Sequence, residues 1–216
     1  MAYRETERTR TRKQLIRQSI LDAARRLIAE KGFRETSISE IADRAGVATG
    51  SIYRYFSSKG ELCSEIFRQA SQQEVDQVRA ACSGPGTPVD QLHAAIECFA
   101  RRALKGRRMA YALIAEPIDP LVDADRLAYR QKYADVFEDL IRRGQRSGHF
   151  LNIEPAVGAA AVVGALAEAL VGPLAQRLNE SAPSDRQISD ADVIASMRHF
   201  CMRALVSPDH IRESNR

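Results

Sequence analysis

The chain has 216 residues, 44% of them hydrophobic and 28% charged, with a formal net charge of +4. These proportions suit one large or two small globular domains and exclude a disordered or fibrous chain. The charge is uneven: residues 1–60 carry 13 Lys and Arg against 7 Asp and Glu, and residues 61–216 carry 19 against 21, so the front of the chain suits a polyanionic partner.

In chain order, Arg4, Arg8, Arg10, Arg12 and Lys13 stand against Glu5 and Glu7, and residues 1–11 read as a basic flexible arm. Two roles fit it: tracking phosphates or entering a minor groove, and keeping the chain soluble. Leu15, Ile16, Ile20, Ala23, Ala24, Leu27 and Ile28 then recur at three- and four-residue spacing, the stripe of an amphipathic helix. Lys31-Gly32 stops it, and Phe33 turns back onto the core. Ser37-Ile38-Ser39-Glu40 reads as a capping box opening a short helix from Ser39 to about Ala45, which Gly46 ends. Thr49 is placed to cap a third helix running through Phe56. Ser58-Lys59-Gly60-Glu61 reads as a second capping box, opening a long helix with Leu62, Ile66, Phe67, Ala70, Val75 and Val78 inward.

Ser83-Gly84-Pro85-Gly86-Thr87-Pro88 breaks the chain as a loop. Helices are expected at about 89–105, 108–115, 121–147, 154–171 and 189–206, with 177–187 a polar loop. No stretch alternates with period two, so the fold is expected to be all-α. The longest apolar run, Ala156 to Ala167, has twelve residues, short of the roughly 20 that a membrane span needs. No apolar leader opens the chain. A cytoplasmic protein with no membrane contact is expected. Cys63, Cys82, Cys98 and Cys201 form no C-x-x-C pair and have no histidines at zinc spacing, which points to free, mostly buried thiols and to no metal or cofactor.

The informative segment is Ile38 to Phe56. Two helices crossing closely over a tight turn need a small residue on the first, a positive-φ residue in the turn and an aliphatic on the second. Ala42, Gly46 and Ile52 supply them, with Ile41, Ala45 and Val47 around them. A helical hairpin without nucleic acid would obey the same packing rule, but the second helix is furnished for DNA. Thr49, Gly50 and Ser51 stand at its start, where a recognition helix points into the major groove. Tyr53 and Tyr55 offer hydroxyls to phosphates, and Arg54 suits guanine or phosphate. Phe56 is assigned to the core, and Lys59 to an anion site beyond Ser58.

The run Thr36-Ser37-Ile38-x-x-Ile41-Ala42-x-x-Ala45-Gly46-Val47-x-x-Gly50-x-Ile52-Tyr53-x-Tyr55-Phe56-x-x-Lys59-x-x-Leu62 resembles the DNA-binding signature of the TetR family of bacterial transcription regulators, over about residues 12–69. Tyr55 departs from the pattern, many relatives carrying histidine there. The resemblance implies an all-helical homodimer: a helix-turn-helix DNA-binding domain at 12–60, then a linking helix and an effector-binding and dimerisation domain at 61–216. It implies a repressor that leaves a palindromic double-stranded DNA operator when a small-molecule effector binds. By motif position Thr36, Ser37, Thr49, Gly50, Ser51, Tyr53, Tyr55 and Lys59 would touch DNA; Arg44 and Arg54 are added on their own chemistry.

The second domain is less readable. Ala156 to Ala169 is small-sided and apolar all round, which asks for burial on every side. In the family the last two long helices pair across the dimer. The interface is therefore expected from Gly158, Ala161, Val162, Ala165 and Ala169 together with Val193, Met197 and Phe200. Phe99, Met109, Tyr111, Leu113, Tyr133 and Phe137 are the candidate effector pocket, with Glu116, Arg126 and Arg130 as polar additions. The linking helix is expected to carry the effector signal. An enzyme is the competing reading, but His93, His149, His199 and His210 are scattered and no nucleophile or metalloprotease motif is present. A helical adaptor without DNA affinity is a third.

Overall fold

The computed structural model describes residues 7–178 and 188–208. Among them run nine α-helices: α1 Glu7–Glu35, α2 Ile38–Ala45, α3 Thr49–Ile52, α4 Lys59–Cys82, α5 Pro88–Lys105, α6 Arg107–Ile114, α7 Pro120–Arg146, α8 Pro155–Leu178 and α9 Asp190–Leu205. The described residues contain no strand, only one isolated antiparallel bridge between Phe150 and Val206. Residues 7–11, read from sequence as flexible arm, are the first turns of α1; the rest of that arm lies outside the described residues. So do residues 179–187 of the polar loop expected at 177–187, whose first two residues close α8.

The first three helices form one small unit. Ser37 caps α2 by accepting from the Glu40 N–H while the Glu40 carboxylate accepts from the Ser37 N–H, the reciprocal box the sequence indicates. Gly46 closes α2 in the left-handed conformation at φ 71°. Thr49 does not cap α3: that position falls to Ala48, which has no side-chain bond to give. Regular helix ends at Ile52, short of the expected Phe56. Beyond it the chain coils on through Arg54 N–H to Ser51, Tyr55 N–H to Ile52 and Phe56 N–H to Ile52. Ile52 and Phe56 are 1% exposed, so this turn is pinned at both ends by burial. Arg17 of α1 lies 4.9 Å over the Phe56 ring and pairs with Glu65 of α4, bracing the turn from outside.

Ser58 caps α4, but the second half of the expected box is displaced by one residue: Glu61 accepts from the N–H and hydroxyl of Ser57. From there α4 packs along α7 and α5, α7 packs on α8, and α5 on α9. Ser64 hydroxyl to Asp125 at 2.5 Å, and Lys132 to Gln72 at 2.9 Å, rivet α4 to α7. The hydrophobic core runs without interruption from Ile20 to Val206.

The two halves of the chain also meet at a polar joint between α1 and the α6–α7 connection. Gly32 breaks helical geometry inside α1 at φ 88°, ψ 175°, which frees the next two amides from the helix ladder. The Glu116 carboxylate, just beyond α6, accepts from both of them, Phe33 at 3.0 Å and Arg34 at 2.9 Å. Close by, the Asp119 carboxylate caps α7 at Leu121 and presses on Gly60, where an added Cβ would stand 2.7 Å from it. We expect Glu116→Ala to lower unfolding stability by about 1–2 kcal/mol, since it leaves two amides without a partner. The check is a urea midpoint measured beside Glu116→Gln, which keeps one acceptor oxygen and should fall in between.

Candidate nucleic-acid interface and effector cavity

On the α2–α3 unit, Thr49, Gly50, Arg54 and Tyr53 are exposed, Tyr53 by 54%. Among the described residues nothing lies within 4 Å of a Cβ built on Gly50, which leaves room at the start of α3 for an approaching surface. Ser51, Tyr55 and Lys59 are half-buried, and the Tyr55 ring packs on the core. The two tyrosines therefore differ: Tyr53 projects freely, and Tyr55 shows only its edge.

Three expected contacts look different in the fold. Thr36 is 2% exposed and donates its hydroxyl to the Gly32 carbonyl at 2.6 Å, so it locks the α1–α2 corner and has nothing left for a duplex. Ser37 is half-buried and engaged in the α2 cap. Arg44 is drawn onto Glu30 of α1, which lowers the Glu30 carboxyl and raises the arginine. Ser19 donates to the Ala45 carbonyl at 3.2 Å and fixes the other end of α2 against α1.

The second domain encloses a cavity of about 130 Å³ between α4, α5, α6, α7 and α8. Phe99, Met109, Leu113 and Tyr133 of the expected pocket line it, and so do Arg126 and Arg130. Two expected members do not. Phe137 is fully buried in solid core, and Tyr111 is half-buried away from the cavity. Sequence reading missed the contribution of α4, Phe67, Ser71 and Glu74, and beside Phe99 it missed Arg102 of α5 opposite them. The usable signal was a serine and a glutamate one turn apart, on or beside the apolar face of α4.

The polar wall is specific. Arg102 holds Glu74 with two bonds, Nε at 2.6 Å and Nη2 at 2.8 Å. Ser71 is 4% exposed and stands on the cavity wall. Tyr133 stacks edge-on against Phe99 at 5.6 Å. Burial, with the Glu74 charge adding to it, pushes its phenol well above the ordinary range, so it stays a donor. Arg126 lies 5.7 Å over the Phe67 ring and donates to the carbonyls of Leu113 and Glu116 at 3.0 and 2.6 Å. One wall of the cavity is thus bonded to the residue that grips α1.

Burial pushes the Cys63 and Cys201 thiols up to about 11 and Cys82 to about 12, so these thiols stay protonated and weakly nucleophilic.

The residues expected at the dimer face divide between the inner and outer sides of α8 and α9. Gly158, Val162, Val193 and Met197 point into the protomer core; Ile153 sits 2.6 Å from a Cβ built on Gly158. Ala161, Ala169 and Phe200 are exposed, Phe200 by 64%, and Ala165 is half-exposed. With Val157, Ala160 and Gly164 they form one outward face of α8 and α9. By length and apolarity α8 could cross a membrane, but its other face packs on α6, α7 and α9.

A helix-turn-helix on a helical domain with an internal cavity is the architecture of a one-component regulator. The family profile for bacterial regulatory proteins, tetR family, matches residues 20–66, and that for the tetracyclin repressor-like C-terminal domain matches residues 85–170. The chain belongs to the TetR family. The HTH-type transcriptional repressor KstR2 of Rhodococcus jostii (strain RHA1) is 28% identical over 138 residues, 62% of this chain and 67% of that protein. The structure of the transcriptional regulator FadR from Bacillus subtilis in complex with stearoyl-CoA superposes at TM-score 0.69 and 19% identity, over 87% of this chain and 98% of FadR. AibR in complex with isovaleryl coenzyme A and operator DNA superposes at 0.61 and 21% identity, over 86% of this chain and 97% of AibR. The likeness to these two structures establishes the shared fold.

The α2 cap makes the reading unit acid-sensitive. The Lys31 ammonium and the Ser37 hydroxyl and N–H hold the Glu40 carboxyl at about 2, below its ordinary 4.5. A carboxyl lowered in the folded state stabilises above its unfolded value, and that stabilisation drains away as pH falls through the folded one. The stability gap between the native chain and Glu40→Gln should therefore be constant above about pH 4.5 and close towards pH 2. Urea unfolding across that series reads it; a gap persisting at the acid end would assign Glu40 a packing role instead.

Proposed function

We propose that this chain is a cytoplasmic, ligand-responsive repressor that binds a palindromic operator as a homodimer and leaves it when a small molecule fills the cavity. The observation that carries the reading is the open surface of Thr49, Gly50, Tyr53 and Arg54 on a buried, braced scaffold. Small groups at the helix start admit close approach to base edges, while Tyr53, Tyr55 and Lys59 are set to position phosphates. The cavity supports the effector half of the proposal. Its apolar lining with a few convergent polar groups is the usual character of a small-molecule site. The acyl-coenzyme A ligands of FadR and AibR support an effector with an apolar acyl portion.

Release is a balance between two arrangements of the reading heads. An effector shifts it only by its differential affinity, typically about 1–3 kcal/mol. The path runs from Arg126 to Glu116 to the Phe33 and Arg34 amides, beside the route through α4 that the sequence suggests. The outward face of α8 and α9, with Ala161, Ala165, Ala169 and Phe200, would pair with its copy and set two heads about one DNA turn apart. Catalysis finds no support in the cavity, whose carboxylate, Glu74, is already held by Arg102.

The direct test is operator binding. DNA fragments selected from the genome with the purified protein supply the operator. Tyr53→Phe should weaken binding about three- to tenfold, the worth of one phosphate hydrogen bond, without lowering the melting temperature. Affinity should also fall steeply with salt. Undiminished affinity of Tyr53→Phe together with a flat salt profile would sink the reading. Ala161→Arg should give a folded monomer in sedimentation that no longer holds a palindrome at nanomolar concentration.

A further inference from the structure

A second, larger hollow opens beside the cavity, and its chemistry is different. It measures about 830 Å³ against about 130 Å³ for the cavity. It lies between the end of α1, the α5–α6 turn, the end of α8 and the start of α9. Gly106 and Met109 line both spaces, so only that turn separates them. Five cationic side chains line the groove: Arg101, Lys105, Arg107, Arg108 and Arg177. Its two carboxylates are already committed, Glu30 to Arg44 and Asp190 to Arg177 and Arg107. Lys105 and Arg108 have no ion-pair partner among the described residues, and Arg101 pairs only with Glu97 of its own helix.

We infer that this groove takes the phosphate-bearing part of the effector, while the 130 Å³ cavity takes its acyl part. The inference rests on the cavity being the effector site and deepens that reading. A polar, cationic groove beside a small apolar chamber, with Gly106 and Met109 common to both walls, fits a conjugate whose two ends differ in the same way. The large end carries several negative charges, which the unpaired Lys105 and Arg108 meet without first breaking a bond to the protein. The small end is apolar: an engineered apolar cavity of about 150 Å³ holds a benzene ring, so a short branched or cyclic acyl group fits and a long chain does not. Ser71 and Tyr133 stand on the cavity wall and bring hydroxyls suited to the carbonyl oxygen that joins acyl group to carrier. The ligand class is a short-chain or cyclic acyl thioester of a phosphorylated nucleotide carrier.

The test uses the full-length protein and isothermal titration with four probes: coenzyme A, sodium isovalerate, isovaleryl-coenzyme A and stearoyl-coenzyme A. Isovaleryl-coenzyme A should bind tightest and release the operator. Coenzyme A alone should bind weakly, and more weakly with rising salt. The double variant Lys105→Glu/Arg108→Glu should lose about tenfold or more in affinity for both carriers, the worth of one or two charge-assisted bonds, with operator affinity in the absence of effector unchanged. Lys105→Gln/Arg108→Gln is the milder pair if charge reversal disturbs folding. Ala110→Trp, which fills the cavity, should abolish the gain that the acyl group confers and leave coenzyme A binding in place. If isovaleryl-coenzyme A binds and releases the operator but neither groove pair weakens it, the groove assignment fails and the cavity reading stands. If none of the four probes binds, or if Ala110→Trp changes nothing, the cavity reading fails with it. Loss of operator affinity in the groove pairs would instead make the groove a DNA surface and overturn the inference. Preference for stearoyl- over isovaleryl-coenzyme A would overturn the size argument.

Discussion

The arrangement turns on the meeting of Gly32 and Glu116. A continuous α1 would spend the Phe33 and Arg34 amides on its own carbonyls. Gly32 leaves the helix at a positive φ, which other residues adopt only with strain, and the two amides become a small anion receptor. A Cβ at Gly32 would also stand 2.9 Å from both oxygens of Glu116. Glycine is therefore required twice, for the backbone angle and for the space. The freed Gly32 carbonyl accepts the Thr36 hydroxyl and so fixes where α2 begins. From Glu116 the connection continues through its own carbonyl to Arg126, whose guanidinium lies over Phe67 on the cavity wall. Few residues separate the cavity from the α1–α2 corner, and hydrogen bonds make most of the connection. A displacement at one end is not absorbed by sliding apolar surfaces.

How much of this was legible in the chain depended on whether a residue's local chemistry agreed with its tertiary role. Ser37, Glu40, Gly46 and Ser58 are capping residues used as caps, and the elements they bound stand where the sequence puts them. Thr36 misled because a hydroxyl at a helix start reads as exposed, whereas its partner is the Gly32 carbonyl, four residues earlier but across a break in the helix. The start of α1 was hidden because Glu7 to Arg12 carry no apolar stripe; i to i+4 bonds such as Thr11 to the Glu7 carbonyl, at 3.0 Å, are invisible to a hydrophobic pattern. The phase of α8 could not be read at all. With apolar residues on every side, the pattern says that both faces are dry but not which one meets its own bundle. Hence Gly158 and Val162 fell inside and Ala161 outside.

Averages conceal as well. Residues 61–216 carry a slight excess of acid, yet the α5–α6 turn gathers Arg101, Lys105, Arg107 and Arg108 within eight residues. Many of the balancing carboxylates lie elsewhere, on α4 and α7. Net charge over a domain says nothing of a groove a few turns wide. In the same way Ser71 and Glu74 were lost in the apolar pattern of α4, although a lone hydroxyl on a buried face needs a reason and here lines a cavity.

The outward face of α8 has a thermodynamic character of its own. Alanine and glycine surrender no rotamer freedom when covered, so ordering such a face on association sacrifices little. Each residue also hides little oily area, and apart from Phe200 no side chain acts as an anchor. In the pairing proposed for this face, adhesion would be spread thinly along several helical turns and would depend on backbones lying near one another. A pair held that way would yield gradually to shortening at its ends, but abruptly to one bulky wedge at its middle, near Gly164.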